Sequence, residues 1–188
     1  MKWVLRILGG FLGLLLLSIV ILFLAGYRPG HGRIVTEVVI DRPAPQVFRW
    51  LSDDERVKKW VGGVAEIRTV STPANGGEVG RQLRIAEVYR DQRVEMNIEV
   101  TRFEQDRALS LSISSVGDPS DGFTETGDYT LTEQNGKTRL RFDVRTSYYG
   151  FMPRLFEAII STEAKAKVQD AFQRLKQMAE AEPLPTSN

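Results

Sequence analysis

Between residues 93 and 102 the side chains alternate without a break. Val94, Met96, Ile98 and Val100 fall on one face, and Glu95, Asn97 and Glu99 on the other. An extended strand separates the two sets cleanly, whereas a helix would mix them around its circumference. The device recurs in 108–115, where Leu109, Leu111 and Ile113 alternate with serines, and in 137–148, where Leu140, Phe142 and Val144 oppose Arg139, Arg141, Asp143 and Arg145. Strands with one greasy and one wet face belong to an antiparallel sheet covered on one side. Further strands are predicted over 33–40, 64–71, 82–89 and 123–132. Asn135-Gly136 is a strong hairpin signal.

The cover is supplied last. From Pro153 to about Glu180 the spacing predicts one helix, roughly 42 Å long. Its stripe is Phe156, Ile160, Ala164, Val168, Ala171, Leu175 and Met178, with Glu157, Ser161, Gln169, Gln173 and Gln177 opposite. Two short helices are predicted between the first two strands: one opens at Pro45 with Val47, Phe48 and Leu51 inward, and the other covers 54–60 and stops at Gly62-Gly63. The result is an α+β domain.

Ahead of it, residues 7–26 read ILGGFLGLLLLSIVILFLAG, twenty residues without a charge. As a helix that run measures about 30 Å, the thickness of a bilayer's hydrocarbon core. Trp3 and Tyr27 flank it, at depths where interfacial aromatics sit. A cleaved signal peptide would have a shorter apolar core and a small residue where Phe23 stands. The expectation is a single-pass membrane protein, with an N-terminal transmembrane anchor and short linker over 1–32, a domain over 33–181 and a disordered tail over 182–188. Lys2 and Arg6, set against Arg28 and Arg33, place the domain on the extracytoplasmic side.

Composition removes several chemistries. Outside Lys2 and Arg6 the chain carries 23 basic and 24 acidic residues, so no basic face for nucleic acid is expected. There is no cysteine, and His31 is the one histidine. Neither a thiolate or histidine metal site nor a Ser-His-Asp triad can be assembled. No cofactor, metal or catalytic residue is assigned.

The stretch Val38-Val39-Ile40-Asp41-Arg42-Pro43-Ala44-Pro45-Gln46-Val47-Phe48 resembles the entry to the SRPBCC superfamily, which includes START-like domains and the polyketide cyclase/dehydrase and lipid-transport families. Trp60 before Gly62-Gly63 and the helix ending Phe172-Gln173-Arg174-Leu175-Lys176 are similar to the same superfamily, from about Arg33 to Glu180. The resemblance implies a helix-grip fold, a curved antiparallel sheet of six or seven strands wrapped around a long C-terminal helix, with a cavity for a lipid or other hydrophobic molecule between them.

If sheet and helix stand apart, the walls are expected to be Leu83, Ile85, Met96, Ile98, Leu111, Ile113, Tyr129, Leu131, Phe142, Val144, Tyr148, Phe151, Phe156 and Ile160. If they meet, the same residues form a filled core. The aromatic loop 148–153 either gates the mouth or caps the core. Glu163 and Lys167 are either a polar end of the pocket or a surface i,i+4 pair. The glycine-rich loop 75–80 lacks a Gly-Lys-Ser/Thr ending and a following helix, and reads as a turn. Three functions are compatible: a membrane-tethered binder or carrier of a hydrophobic molecule or lipid, a cyclase or dehydratase on the same fold, and a scaffold docking a membrane partner.

Overall fold

The computed structural model describes residues 2–26, 30–89, 92–117, 122–155 and 157–183. They form helix α1 (Lys2–Gly26), strand β1 (Gly30–Ile40), helices α2 (Ala44–Ser52) and α3 (Asp54–Trp60), strands β2 (Val64–Ser71), β3 (Gln82–Tyr89), β4 (Gln92–Glu104), β5 (Ala108–Ser115), β6 (Phe123–Gln134) and β7 (Lys137–Tyr148), and helices α4 (Phe151–Leu155) and α5 (Glu157–Ala181). The seven strands make one antiparallel sheet in the order β1-β7-β6-β5-β4-β3-β2. Only β1 leaves the meander. The crossover through α2 and α3 separates it from β2 by the full width of the sheet.

The inner face follows from register. Tyr129 stands opposite Phe142 and Leu131 opposite Leu140, while Ile85 faces Met96 and Leu83 faces Ile98. On the outer face, Arg33 forms a two-point pair with Asp143, and Arg141 binds Glu37 at 2.7 Å. Such exposed pairs add little stability each but keep the outer face wet.

The filled part of the core lies at one end. Ile40, Val47, Phe48, Leu140, Leu175 and Ala179 are fully enclosed there, with Trp60 and Phe172 close behind. The Trp60 indole N–H donates to the Trp50 carbonyl at 2.7 Å and its ring meets Phe172 edge-on. Asp53 caps α3 by accepting from the amides of Glu55 and Arg56.

Three expectations change here. The first is the anchor. Although α1 exposes Phe11, Leu12 and Leu14–Leu17, no helix among the described residues is long and apolar enough to cross a membrane. The single-pass, extracytoplasmic placement expected from the sequence is overturned on this ground. The second is the start of the C-terminal helical segment. Helix α4 already begins at Phe151, with Pro153 inside its first turn, and β1 reaches back to Gly30, pairing with Tyr148.

The third is the tail, which is held at least as far as Pro183. The Arg56 guanidinium grips the Glu182 carboxylate at 2.8 and 3.0 Å, and the Trp50 indole N–H donates to it at 3.1 Å. Arg42 and Gln46 donate to the Glu182 carbonyl. Residues 184–188 lie outside those described. The Arg56 hydrogen bond holds the Glu182 carboxyl below the ordinary value of 4.5. A lowered folded value means that stability is present above that pH and lost as pH falls through the folded value. Arg56→Ala is expected to cost about 1–2 kcal/mol at neutral pH. In chemical denaturation, the gap to the parent protein should narrow as the solution is acidified below 4.5.

Candidate ligand chamber

Helix α5 does not lie flat on the sheet along its whole length. Its C-terminal half is packed, with Ala171, Phe172, Leu175 and Ala179 buried. Toward the N-terminal half it presents Ala164 and Val168 to a cavity of about 630 Å³. The short side chains Ala164 and Val168 on the helix and Val144 and Thr146 on the sheet border this volume, and they are not long enough to fill it. A volume of this size suits a small organic ligand.

The floor is aromatic. Tyr129 stacks on Phe142 at 4.3 Å between ring centres, and Phe172 of α5 lies 6.3 Å from the one and 5.8 Å from the other. Gly127 makes room for this, since a Cβ there would stand 2.9 Å from the Phe142 ring. The stack divides the filled core from the chamber. Walls of Ile85, Met96, Ile98, Leu111, Ile113 and Val144 rise from the sheet. The exposed lining residues are Gly62, Gly63, Val88, Lys167 and Asp170, and they mark the mouth. Gly63 adopts φ +88° there and accepts a hydrogen bond from the Val88 amide at 2.8 Å, a backbone conformation that favours glycine. Arg174 closes one corner by donating to the Trp60 carbonyl at 3.0 Å.

Within these apolar walls sit ionisable groups. Glu125 on β6 is directly opposite Thr146 on β7, whose hydroxyl donates to it at 2.9 Å. Burial pushes the Glu125 carboxyl up, the Thr146 hydrogen bond partly offsets this, and the charge of Glu87 pushes it further up. Glu87 on β3 is raised by burial and partly restored by the Lys167 ammonium. Tyr129, enclosed by protein, has its hydroxyl raised by burial and by Glu125. The four groups sense one another across a medium poor in water.

Of the expected wall residues, the structure brings Ile85, Met96, Ile98, Leu111, Ile113, Tyr129, Phe142, Val144 and Tyr148 together around the chamber. It places the others elsewhere. Leu83 borders a separate small apolar pocket with Leu51 and Phe103. Leu131 belongs to the filled core beneath the aromatic floor. Phe151 is exposed, its ring 5.9 Å from Phe23. Ile160 is exposed because α5 turns Ser161, not Ile160, to the sheet: a Cβ on Gly32 would stand 3.3 Å from the Ser161 hydroxyl. Phe156 lies outside the described residues. Lys167 lines the chamber and Glu163 does not.

Sequence reading passed over Glu87, Glu125 and Thr146. The signal was there in strand parity. Glu87 follows Leu83 and Ile85 at steps of two, Glu125 precedes Gly127 and Tyr129, and Thr146 follows Phe142 and Val144.

A curved antiparallel sheet closed on one face by a C-terminal helix, with an apolar chamber between them, defines a helix-grip domain. Residues 31–180 match the model of the polyketide cyclase/dehydrase and lipid transport family. The chain belongs to that family and so to the SRPBCC superfamily, whose members generally bind hydrophobic ligands. Solved structures agree on the fold. Ara h 8.0201 is 15% identical with a TM-score of 0.65, covering 81% of this chain and 100% of its own. A protein from Mesorhizobium loti is 24% identical with a TM-score of 0.61, covering 81% and 99%. A conserved protein from Geobacillus kaustophilus is 16% identical with a TM-score of 0.65, covering 79% and 94%. No curated protein matches the chain significantly.

The raised Glu125 carboxyl gives a pH signature. Above the ordinary value of 4.5 the unfolded chain releases this proton while the folded one keeps it, so stability falls as pH rises toward the folded value. Glu125→Gln removes that penalty. The variant is expected to unfold at a higher temperature than the parent protein in mildly alkaline buffer. The difference should vanish in thermal melts run below pH 4.5.

Proposed function

We propose that the protein binds, and holds away from water, a hydrophobic small molecule lodged between the sheet and the N-terminal half of α5. The observation that carries this reading is the 630 Å³ chamber with its aliphatic walls and aromatic floor. An apolar guest of matching size gains by leaving water, at about 25 cal/mol per Å² of apolar surface buried. The flat faces of Tyr129 and Phe142 favour a guest with a planar or unsaturated part. A scaffold with no ligand has no use for such a volume, and a filled core would serve it better.

A cyclase or dehydratase activity is the second reading. Ionisable groups inside the chamber favour it: Glu125 and Tyr129 are both raised, as proton-transfer groups in enzymes often are. Binding is the function common to both readings.

Filling the chamber is the direct test. Ile113→Trp places an indole in the space a guest would occupy. The variant is expected to remain folded by near-UV circular dichroism and to bind a hydrophobic naphthyl probe at least tenfold more weakly than the parent protein in isothermal titration calorimetry. Equal affinity in the two proteins would remove the chamber as the binding site.

A further inference from the structure

Polar groups inside an apolar chamber need partners, and the hydrogen bonds formed by the described residues leave several unmet. Glu125 accepts from Thr146 through one carboxylate oxygen, Oε2. Its other oxygen accepts no hydrogen bond from the described residues, and neither does the Glu87 carboxyl. The Tyr129 hydroxyl, deep in the chamber, is likewise without a hydrogen bond among the described residues, and what surface the ring retains faces the cavity. These groups converge: Glu87 and Glu125 feel each other's charge, and Glu125 is felt by Tyr129. The fully buried side-chain atoms without a partner among the described residues lie elsewhere, Gln46 Oε1 and Arg81 Nε; Glu87, Glu125 and Tyr129 line the cavity and can be reached from it, so this cluster marks where a guest's polar end belongs.

Resting on the reading of the chamber as a ligand site, we propose that its guest is a hydrophobic amine, whose protonated nitrogen sits between Glu87 and Glu125 while its apolar body lies on the Tyr129–Phe142 stack. An ammonium group offers two or three N–H donors to a set made mostly of acceptors. It also brings a positive charge to two neighbouring carboxyls, of which Glu87 is only partly restored by Lys167 and Glu125 is raised further by Glu87. The aromatic floor adds a surface that attracts cations. A hydroxyl supplies one donor and no charge. A carboxylate supplies neither and would place a third negative group beside two others, so fatty acids and other organic anions are disfavoured.

Three probes of matched shape separate the possibilities: naphthylethylamine, naphthylethanol and naphthylacetic acid, titrated calorimetrically into the full chain at neutral pH. The alcohol reports the chamber, and the difference between amine and alcohol reports the proposal. The amine is expected to bind at least tenfold tighter than the alcohol, and the acid more weakly than either. In the double variant Glu87→Gln with Glu125→Gln, the amine should fall to the level of the alcohol measured on the same variant. Glu125→Gln alone, the milder change, should lose part of the preference. An amine that binds no tighter than the alcohol overturns the proposal and leaves the chamber reading standing, as does a preference that survives both substitutions. Failure of all three probes to bind overturns both.

Discussion

The stack of Tyr129, Phe142 and Phe172 decides where the core ends. Two strands and the last helix each contribute one ring, and the three lie within 7° to 28° of parallel. Gly127 is what lets Phe142 settle against its neighbours, since any side chain there would strike the ring. On one side of the stack Leu131, Leu140 and Leu175 fill all available space. On the other, α5 offers Ala164 and Val168 and β7 offers Val144 and Thr146. Protein interiors are close-packed wherever side chains reach. Here they do not reach, and the sheet's curvature leaves volume that no residue occupies.

The helix tolerates that gap because it is held elsewhere. At its C-terminal end the Lys176 ammonium donates to the Val39 carbonyl, the Asp41 amide donates to the Glu180 carboxylate, and Arg42 donates to the carbonyls of Glu180 and Glu182. The Arg56–Glu182 pair, with the Arg56 guanidinium 4.9 Å from the Trp50 ring, ties the following turn to α2 and α3. The polar anchorage gathers at the C-terminal end of α5, and the open volume lies further back along it, beside Ala164, Lys167 and Val168. Anchorage beyond the chamber spares the stretch of helix beside it from having to pack, and so the fold stays defined around an unfilled space.

Alternation made the sheet legible, because a period of two survives any detail of packing. Val94 to Val100 and Leu140 to Val144 lie on the face their spacing implied. The stripe on α5 was legible only from Ala164 onward. One turn earlier the helix turns Ser161 to Gly32, and hydrophobicity alone pointed to Ile160. The acidic groups were masked by a habit of reading, in which a carboxylate in a strand is assigned to the wet face. Glu87 and Glu125 share the parity of their apolar neighbours, and parity was the better guide. Glu182 was unreadable for another reason. Its role depends on Arg56 and Trp50, more than a hundred residues away, and no local pattern announces a pairing of that span. The apolar segment at the start misled in the opposite sense: composition was taken for a membrane span, while among the described residues no helix meets that length and apolarity.

Likeness to solved structures at 15% to 24% identity carries the architecture and stops there, since one fold serves many sites. This chain breaks the rule that a chamber wall should be greasy, at Glu87 and Glu125. Each buried carboxyl works against folding, because burial penalises its charge. Thr146 offsets part of that cost for Glu125 and Lys167 part of it for Glu87, and neither does so fully. A pair of leucines at those two positions would remove that cost and leave the wall wholly apolar. Uncompensated polarity of this kind, inside a volume the fold leaves open, is the feature on which the proposed ligand site rests. The partial compensation matters as much as the cost, for it keeps the carboxyls folded into the wall and turned toward the space.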